Sequence, residues 1–85
     1  MEQLHPACIS ILRKMLNQRI IGGKHLPEVL VLRWLKYLPR REHRAALRDW
    51  ENCIKEGMVI VKPKPSGRHV FLNQKRLKEL EGLIL

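Results

Sequence analysis

The feature that most restricts what this chain can become is a change of hydrophobic period at Gly57. Before the glycine, from Arg40 to Glu56, apolar residues recur at helical spacing: Ala46, Leu47, Trp50, Cys53 and Ile54 fall in one sector at about 100° per residue. After it, Met58-Val59-Ile60-Val61 and His69-Val70-Phe71-Leu72 read as strands, rich in the β-branched and aromatic residues that suit a pleated surface. Between them lies Lys62-Pro63-Lys64-Pro65-Ser66-Gly67-Arg68, whose prolines and glycine preclude regular pairing and predict the loop of a hairpin. Gly57 is the expected helix C-cap, because the left-handed backbone that ends a helix is easiest for glycine. A long two-sided helix must therefore turn directly into a β-hairpin.

Three more helices are expected around this unit. Pro6 suits a first helical position, and Cys8, Ile11, Leu12, Met15 and Leu16 follow at helical spacing, giving a first helix over about residues 6–18. Gly22-Gly23 break the chain after it, and a two-residue strand is expected around Arg19 to Ile21. Pro27 opens a second helix, about residues 27–38, with Glu28 favouring its dipole and Pro39 stopping it. Leu30, Val31, Trp34, Tyr37 and Leu38 make its wide apolar face, with Val29, Leu32 and Leu35 outside it. The third helix covers about residues 40–56 and the hairpin residues 58–72. Asn73 can cap a last helix, about residues 74–84, carrying a stripe of Leu77, Leu80 and Ile84. The expected fold class is α+β, and 85 residues suffice for one domain and not for two.

Charge narrows the choice of partners. Seventeen Lys and Arg stand against eight Asp and Glu, a formal net charge of +9, which creates a field that attracts polyanions. The third helix gathers Arg41, Arg44, Arg48, Asn52 and Lys55 on the side opposite its apolar sector, with Arg40 at its start. Lys62, Lys64 and Arg68 give the hairpin loop three positive charges and no negative one. Such a surface can neutralise phosphates and release their counterions; the plain alternative is a solvated helix face and a loop with no target. Trp34 and Trp50 lie on apolar faces and are expected in the core, not as stacking platforms.

The order helix, short strand, helix, helix, strand, basic loop, strand, helix resembles the winged helix-turn-helix family of DNA-binding domains. Its most specific stretches are Leu47-Arg48-Asp49-Trp50-Glu51-Asn52-Cys53-Ile54-Lys55-Glu56-Gly57-Met58-Val59 and Gly67-Arg68-His69-Val70-Phe71-Leu72-Asn73. The segment around Pro39-Arg40-Arg41 lacks the glycine often found in the turn of that family. The resemblance implies a three-helix core, a β-hairpin wing and a C-terminal helix. It also implies a third helix lying in the major groove, with the wing on flanking backbone or minor groove. By that analogy Arg44, Arg48 and Asn52 address base edges, and Arg41 and Lys55 address phosphates. The expected partner is double-stranded DNA, for a small transcriptional regulator or a chromatin or replication accessory. Structured RNA and an acidic protein partner remain open.

The remaining features point away from other classes. Cys8 and Cys53 are far apart, and His5, His25, His43 and His69 are scattered, so no metal site and no cofactor is expected. No paired acids, phosphate loop or nucleophile motif appears, and a non-catalytic protein is expected. There is no secretory signal pattern and no apolar run of membrane-spanning length, so the expectation is an intracellular protein of the cytoplasm, nucleoid or nucleus with no membrane role. Val29, Leu32 and Leu35, together with Leu77, Leu80 and Ile84, are candidates for a homodimer contact, since two half-sites raise the affinity of a small DNA-binding domain. The alternative is that the last helix simply covers the second within one chain.

Overall fold

The computed structural model describes residues 3–84. Its first helix, α1, spans Pro6–Asn17 with proline in the first turn, where a missing N–H costs nothing. His5 is its N-cap: the Ala7 N–H donates to His5 Nδ1 at 3.0 Å. The helix ends in a Schellman motif, with Ile20 N–H donating to the Met15 carbonyl and Arg19 N–H to that of Leu16, each at 3.0 Å. Arg19 takes the left-handed position of that motif at φ 57°, where glycine would be expected.

The next segment departs from the sequence reading. The strand β1 is Leu26–Pro27, beyond the glycines, and Ile21 makes only a single bridge to Leu72. Pro27 fits an edge strand because it has no N–H to offer. The expected helix over residues 27–38 is accordingly short: α2 is Glu28–Leu32, followed by a 3-10 turn, Arg33–Leu35. A 3-10 turn advances about 120° per residue instead of about 100°. That difference rotates Leu35 into the core and Tyr37 into solvent, the reverse of their expected positions. Leu30, also expected on the buried face, is exposed, whereas Val31 is fully buried.

The third helix, α3, is Arg40–Lys55 and ends as expected at Gly57, whose φ is 81°. Met58 N–H donates to the Cys53 carbonyl and Gly57 N–H to that of Ile54, a second Schellman motif. The hairpin follows with β2, Val59–Lys62, and β3, His69–Leu72, paired from Val59↔Leu72 to Lys62↔His69. The sheet is antiparallel in the order β1-β3-β2, with Leu26↔Val70 and Pro27↔His69 on the other side of β3. Asn73 caps a 3-10 turn, Gln74–Arg76, that leads into α4, Leu77–Ile84. The described residues thus form a small α+β globule of four helices and a three-stranded antiparallel sheet.

One core joins these elements. Cys8, Ile11, Leu12 and Met15 of α1 meet Trp50 and Cys53 of α3, Val59, Val70 and Leu72 of the sheet, and Leu80 and Ile84 of α4. This overturns part of the expected dimer contact. Leu80 and Ile84 are buried because α4 packs on α1, not on α2, and Leu35 is buried by the 3-10 turn. Leu32 and Leu77 are half-buried against the same core, and of the six only Val29, 57% exposed, stays at the surface. Leu47, expected on the packed side of α3, is 38% exposed.

Candidate nucleic-acid interface

The outer side of α3 carries a cationic stripe. Arg40, Arg41, Arg44, Arg48 and Lys55 are all exposed, and Asn52 is half-buried at one margin. At about 100° per residue these six fall within a sector of about 120°. The inner side, with Ala46, Trp50 and Cys53 buried, fixes the helix so that the stripe faces away from the core.

The stripe keeps its charge because the carboxylates of α3 are turned to other partners. Asp49 Oδ2 accepts the His5 N–H, tying the start of α1 to α3. Glu42 lies 3.7 Å from His5 Nε2. Glu51 is the acid best placed to neutralise Arg48 or Lys55 along the helix surface; it accepts instead from Arg68, at 2.8 Å. Among the described residues, only Arg68 and Arg76 of the lysines and arginines pair with a carboxylate.

Arg68 is therefore not the free loop cation that the sequence reading expects. Its Nε and Nη2 donate to Glu28 Oε1 and Oε2 at 2.8 and 2.7 Å, a bidentate pair. Glu28 Oε2 also accepts from Nε1 of the fully buried Trp50 at 2.8 Å, and Glu28 N–H donates to the Arg68 carbonyl at 3.0 Å. Burial pushes the Glu28 carboxyl up, but the hydrogen bonds from Arg68 and Trp50 outweigh it and hold it below the usual carboxylate range. The hydrogen bond to Glu28, more than its attraction alone, holds Arg68 above the ordinary guanidinium range. One side chain thus joins the returning hairpin strand to α2 and α3 and sets the hairpin beside the α3 stripe. Nothing local in the sequence announces this, since Glu28 and Arg68 are 40 residues apart; Glu28 there reads only as a favourable first-turn charge.

The loop itself presents Lys62, exposed, and Lys64, half-buried. Gly67 N–H donates to the Lys64 carbonyl at 3.1 Å, closing a turn with Pro65 at its second position, where a fixed φ is favoured. The fold also brings together two histidines that the sequence leaves scattered. His25 precedes β1 and His69 begins β3, and their Nδ1 atoms stand 2.8 Å apart with edge-to-face rings. Desolvation first, then the charges of Lys62, His69 and Lys64, hold His25 below its ordinary value. The partner strands could have revealed the pair, had β1 been placed at Leu26.

Cys8 and Cys53 meet in the core as free thiols, and their mutual hydrogen bond, with burial, drives the Cys8 thiol well up from its usual range. Among the described residues no three His, Cys, Asp or Glu gather where they could hold a metal ion. Nor is any helix there long and apolar enough to cross a membrane. Comparison with protein-family models, with curated proteins and with solved structures finds no match for this chain.

Proposed function

We propose that this chain is a non-catalytic winged-helix domain that binds double-stranded DNA, as a small transcriptional regulator or a chromatin or replication accessory. In this reading α3 lies in the major groove, with Arg44, Arg48 and Asn52 toward base edges and Arg40, Arg41 and Lys55 toward phosphates. Lys62 and Lys64 on the hairpin meet the flanking backbone, and Arg68 braces the hairpin without touching DNA. The element order and the antiparallel sheet are compatible with that architecture. The observation that carries the reading is the α3 stripe: its arginines are exposed and pair with no carboxylate among the described residues, while Glu42, Asp49 and Glu51 of the same helix face His5 and Arg68.

The test is fluorescence anisotropy with a labelled duplex of mixed sequence at several salt concentrations. The double variant Arg44→Ala/Arg48→Ala is expected to weaken binding at least about ten-fold and to relax base preference, and Arg41→Ala/Lys55→Ala to reduce the slope of log K against log salt by about 2, one unit for each lost phosphate contact. An unchanged isotherm would remove the stripe from the interface. Stronger competition by duplex RNA than by duplex DNA at equal salt would move the reading to A-form recognition.

A further inference from the structure

A second surface lies outside the stripe and the hairpin. Ala7, Ser10, Ile11 and Lys14 of α1 face Trp34, Tyr37 and Leu38 across a pocket of about 120 Å³. Its rim is aromatic and cationic. Lys14 Nζ stands 5.1 Å from the Trp34 ring and Lys36 Nζ 5.0 Å from that of Tyr37, whose side chain is 84% exposed. Neither wall contains an acid: no Asp or Glu occurs between residues 3 and 27 or between residues 29 and 41.

We propose that this pocket between α1 and the Trp34–Leu38 segment docks an acidic segment of a partner protein, which inserts one aliphatic side chain. Charge complementarity selects the acid, because the charged side chains of the pocket and its rim, Lys14 and Lys36, are positive. Size selects the aliphatic anchor. The pocket, about 120 Å³, is smaller than the enclosed cavity of about 150 Å³ that holds benzene and suits a leucine or isoleucine side chain. The aromatic residues of the rim, Trp34 and Tyr37, are of the types enriched at binding hot spots. A second copy of this chain is disfavoured as the occupant, since each copy carries a formal charge of +9. The proposal does not rest on DNA binding, which uses a different face.

The experiment titrates the isotopically labelled full chain with synthetic helical peptides of one Glu-rich sequence that differ at a single position, carrying Leu, Ile, Phe or Ser. The Leu or Ile peptide is expected to bind at least about ten-fold tighter than the equally charged Ser peptide, as burial of one aliphatic side chain requires, and to shift the amides of Ala7, Ser10, Ile11 and Trp34. Ser10→Phe, at an exposed position, fills the mouth of the pocket and is expected to abolish that preference. Tyr37→Ala, at a side chain too exposed to hold the fold, is expected to lower affinity for the Leu peptide at least about three-fold. Equal affinity of the Leu and Ser peptides, or shifts confined to α3, overturns the proposal. So does oligodeoxythymidylate shifting the pocket amides in a way that Ser10→Phe blocks. Concentration-dependent dimerisation abolished by Ser10→Phe would make a second copy the occupant and overturn it too.

Discussion

Glu28 takes three hydrogen-bond donors on one carboxylate, two from Arg68 and one from the indole of Trp50, with its side chain 15% exposed. Removing it leaves a buried indole N–H without an acceptor and a half-buried guanidinium with only Glu51 to pair with, and unmade bonds of this kind cost more than made ones gain. Glu28→Ala is therefore expected to destabilise the fold by about 2–3 kcal/mol, and Glu28→Gln, which keeps an acceptor for Trp50, by about half of that; urea unfolding with an unchanged m value reads both. The sign of the pH dependence follows from the direction of each shift. The Glu28 carboxyl is depressed in the folded chain, so its contribution is complete above the ordinary value of 4.5 and is lost as pH falls through the folded value. His25 is likewise lower in the folded chain, but it is a base: below its ordinary value of 6.5 the unfolded chain takes up the proton first, so stability declines from there down to the folded value and then levels. Two separate limbs are expected in a plot of unfolding midpoint against pH. His25→Gln should flatten the upper one and Glu28→Gln the lower one; a profile indifferent to His25→Gln would dissolve the role of the histidine pair. Neither residue could be assigned this part from the sequence. Periodicity locates residues on the face of an element, whereas these bonds depend on which distant elements the fold sets side by side.

Two helices end in the same Schellman geometry with opposite chemistry, and the contrast makes an internal control. At the end of α3 the left-handed position is Gly57, φ 81°, and a Cβ there would stand 3.2 Å from Arg76 Nη1. At the end of α1 the equivalent position is Arg19, φ 57°, an L residue in a conformation that costs it about 1–2 kcal/mol. Gly57→Ala is therefore expected to lower stability by about 1–2 kcal/mol, and Arg19→Gly to raise it by about 0.5–1 kcal/mol, less than the relieved strain because glycine also frees the unfolded chain. Thermal unfolding of the two variants measures both signs, and a loss of stability in Arg19→Gly would contradict the strain at that cap. The same contrast explains which elements could be read in advance. Gly57, the alternating residues after it and the long apolar face of α3 are local signals, and α3 and both hairpin strands lie within a residue or two of where the periods place them. β1 is two residues long with a proline in it, and α2 changes winding at Arg33. In each of those places the outcome is set by pairing with β3 or burial against α1, and single-sequence patterns do not carry that information. The candidate site divides likewise. The α3 stripe was legible because it is a property of one helix. The commitment of Arg68 to Glu28 and Glu51 was not, because it joins three elements.

At the scale of the whole molecule the governing quantity is unbalanced charge in a small volume. A formal charge of +9 sits in a body of 33 × 32 × 22 Å, and of the lysines and arginines in the described residues only Arg68 and Arg76 are paired. With a Debye length of about 10 Å at 0.1 M salt and longer below it, neighbouring cations of α3 and of the hairpin repel one another, most strongly at low salt. Unfolding spreads them apart, so in the free chain added salt should screen the repulsion and raise the melting temperature. The bound chain should respond in the opposite sense. A duplex that binds only the folded form stabilises it by RT ln(1 + [L]/Kd), about 2.7 kcal/mol at a hundred-fold excess over Kd, which for a domain of this size is a rise of more than about 10 °C. That gain depends on an affinity falling by about 0.9 decades per neutralised phosphate for each decade of salt. Between about 0.05 and 0.5 M salt the melting temperature of the complex should therefore fall while that of the free chain climbs, until the two curves meet. Lys62→Gln/Lys64→Gln separates the contributions further. It should reduce the slope for the complex by about 2 phosphates' worth and, by easing repulsion, raise the melting temperature of the free chain at low salt. Scanning calorimetry of the free and duplex-bound chains across salt reads all of these slopes. Curves that rise in parallel would mean that the duplex never engages the cations. A free chain whose melting temperature drops with salt would mean that those cations are already satisfied within the fold, and a polyanion would then have nothing to neutralise.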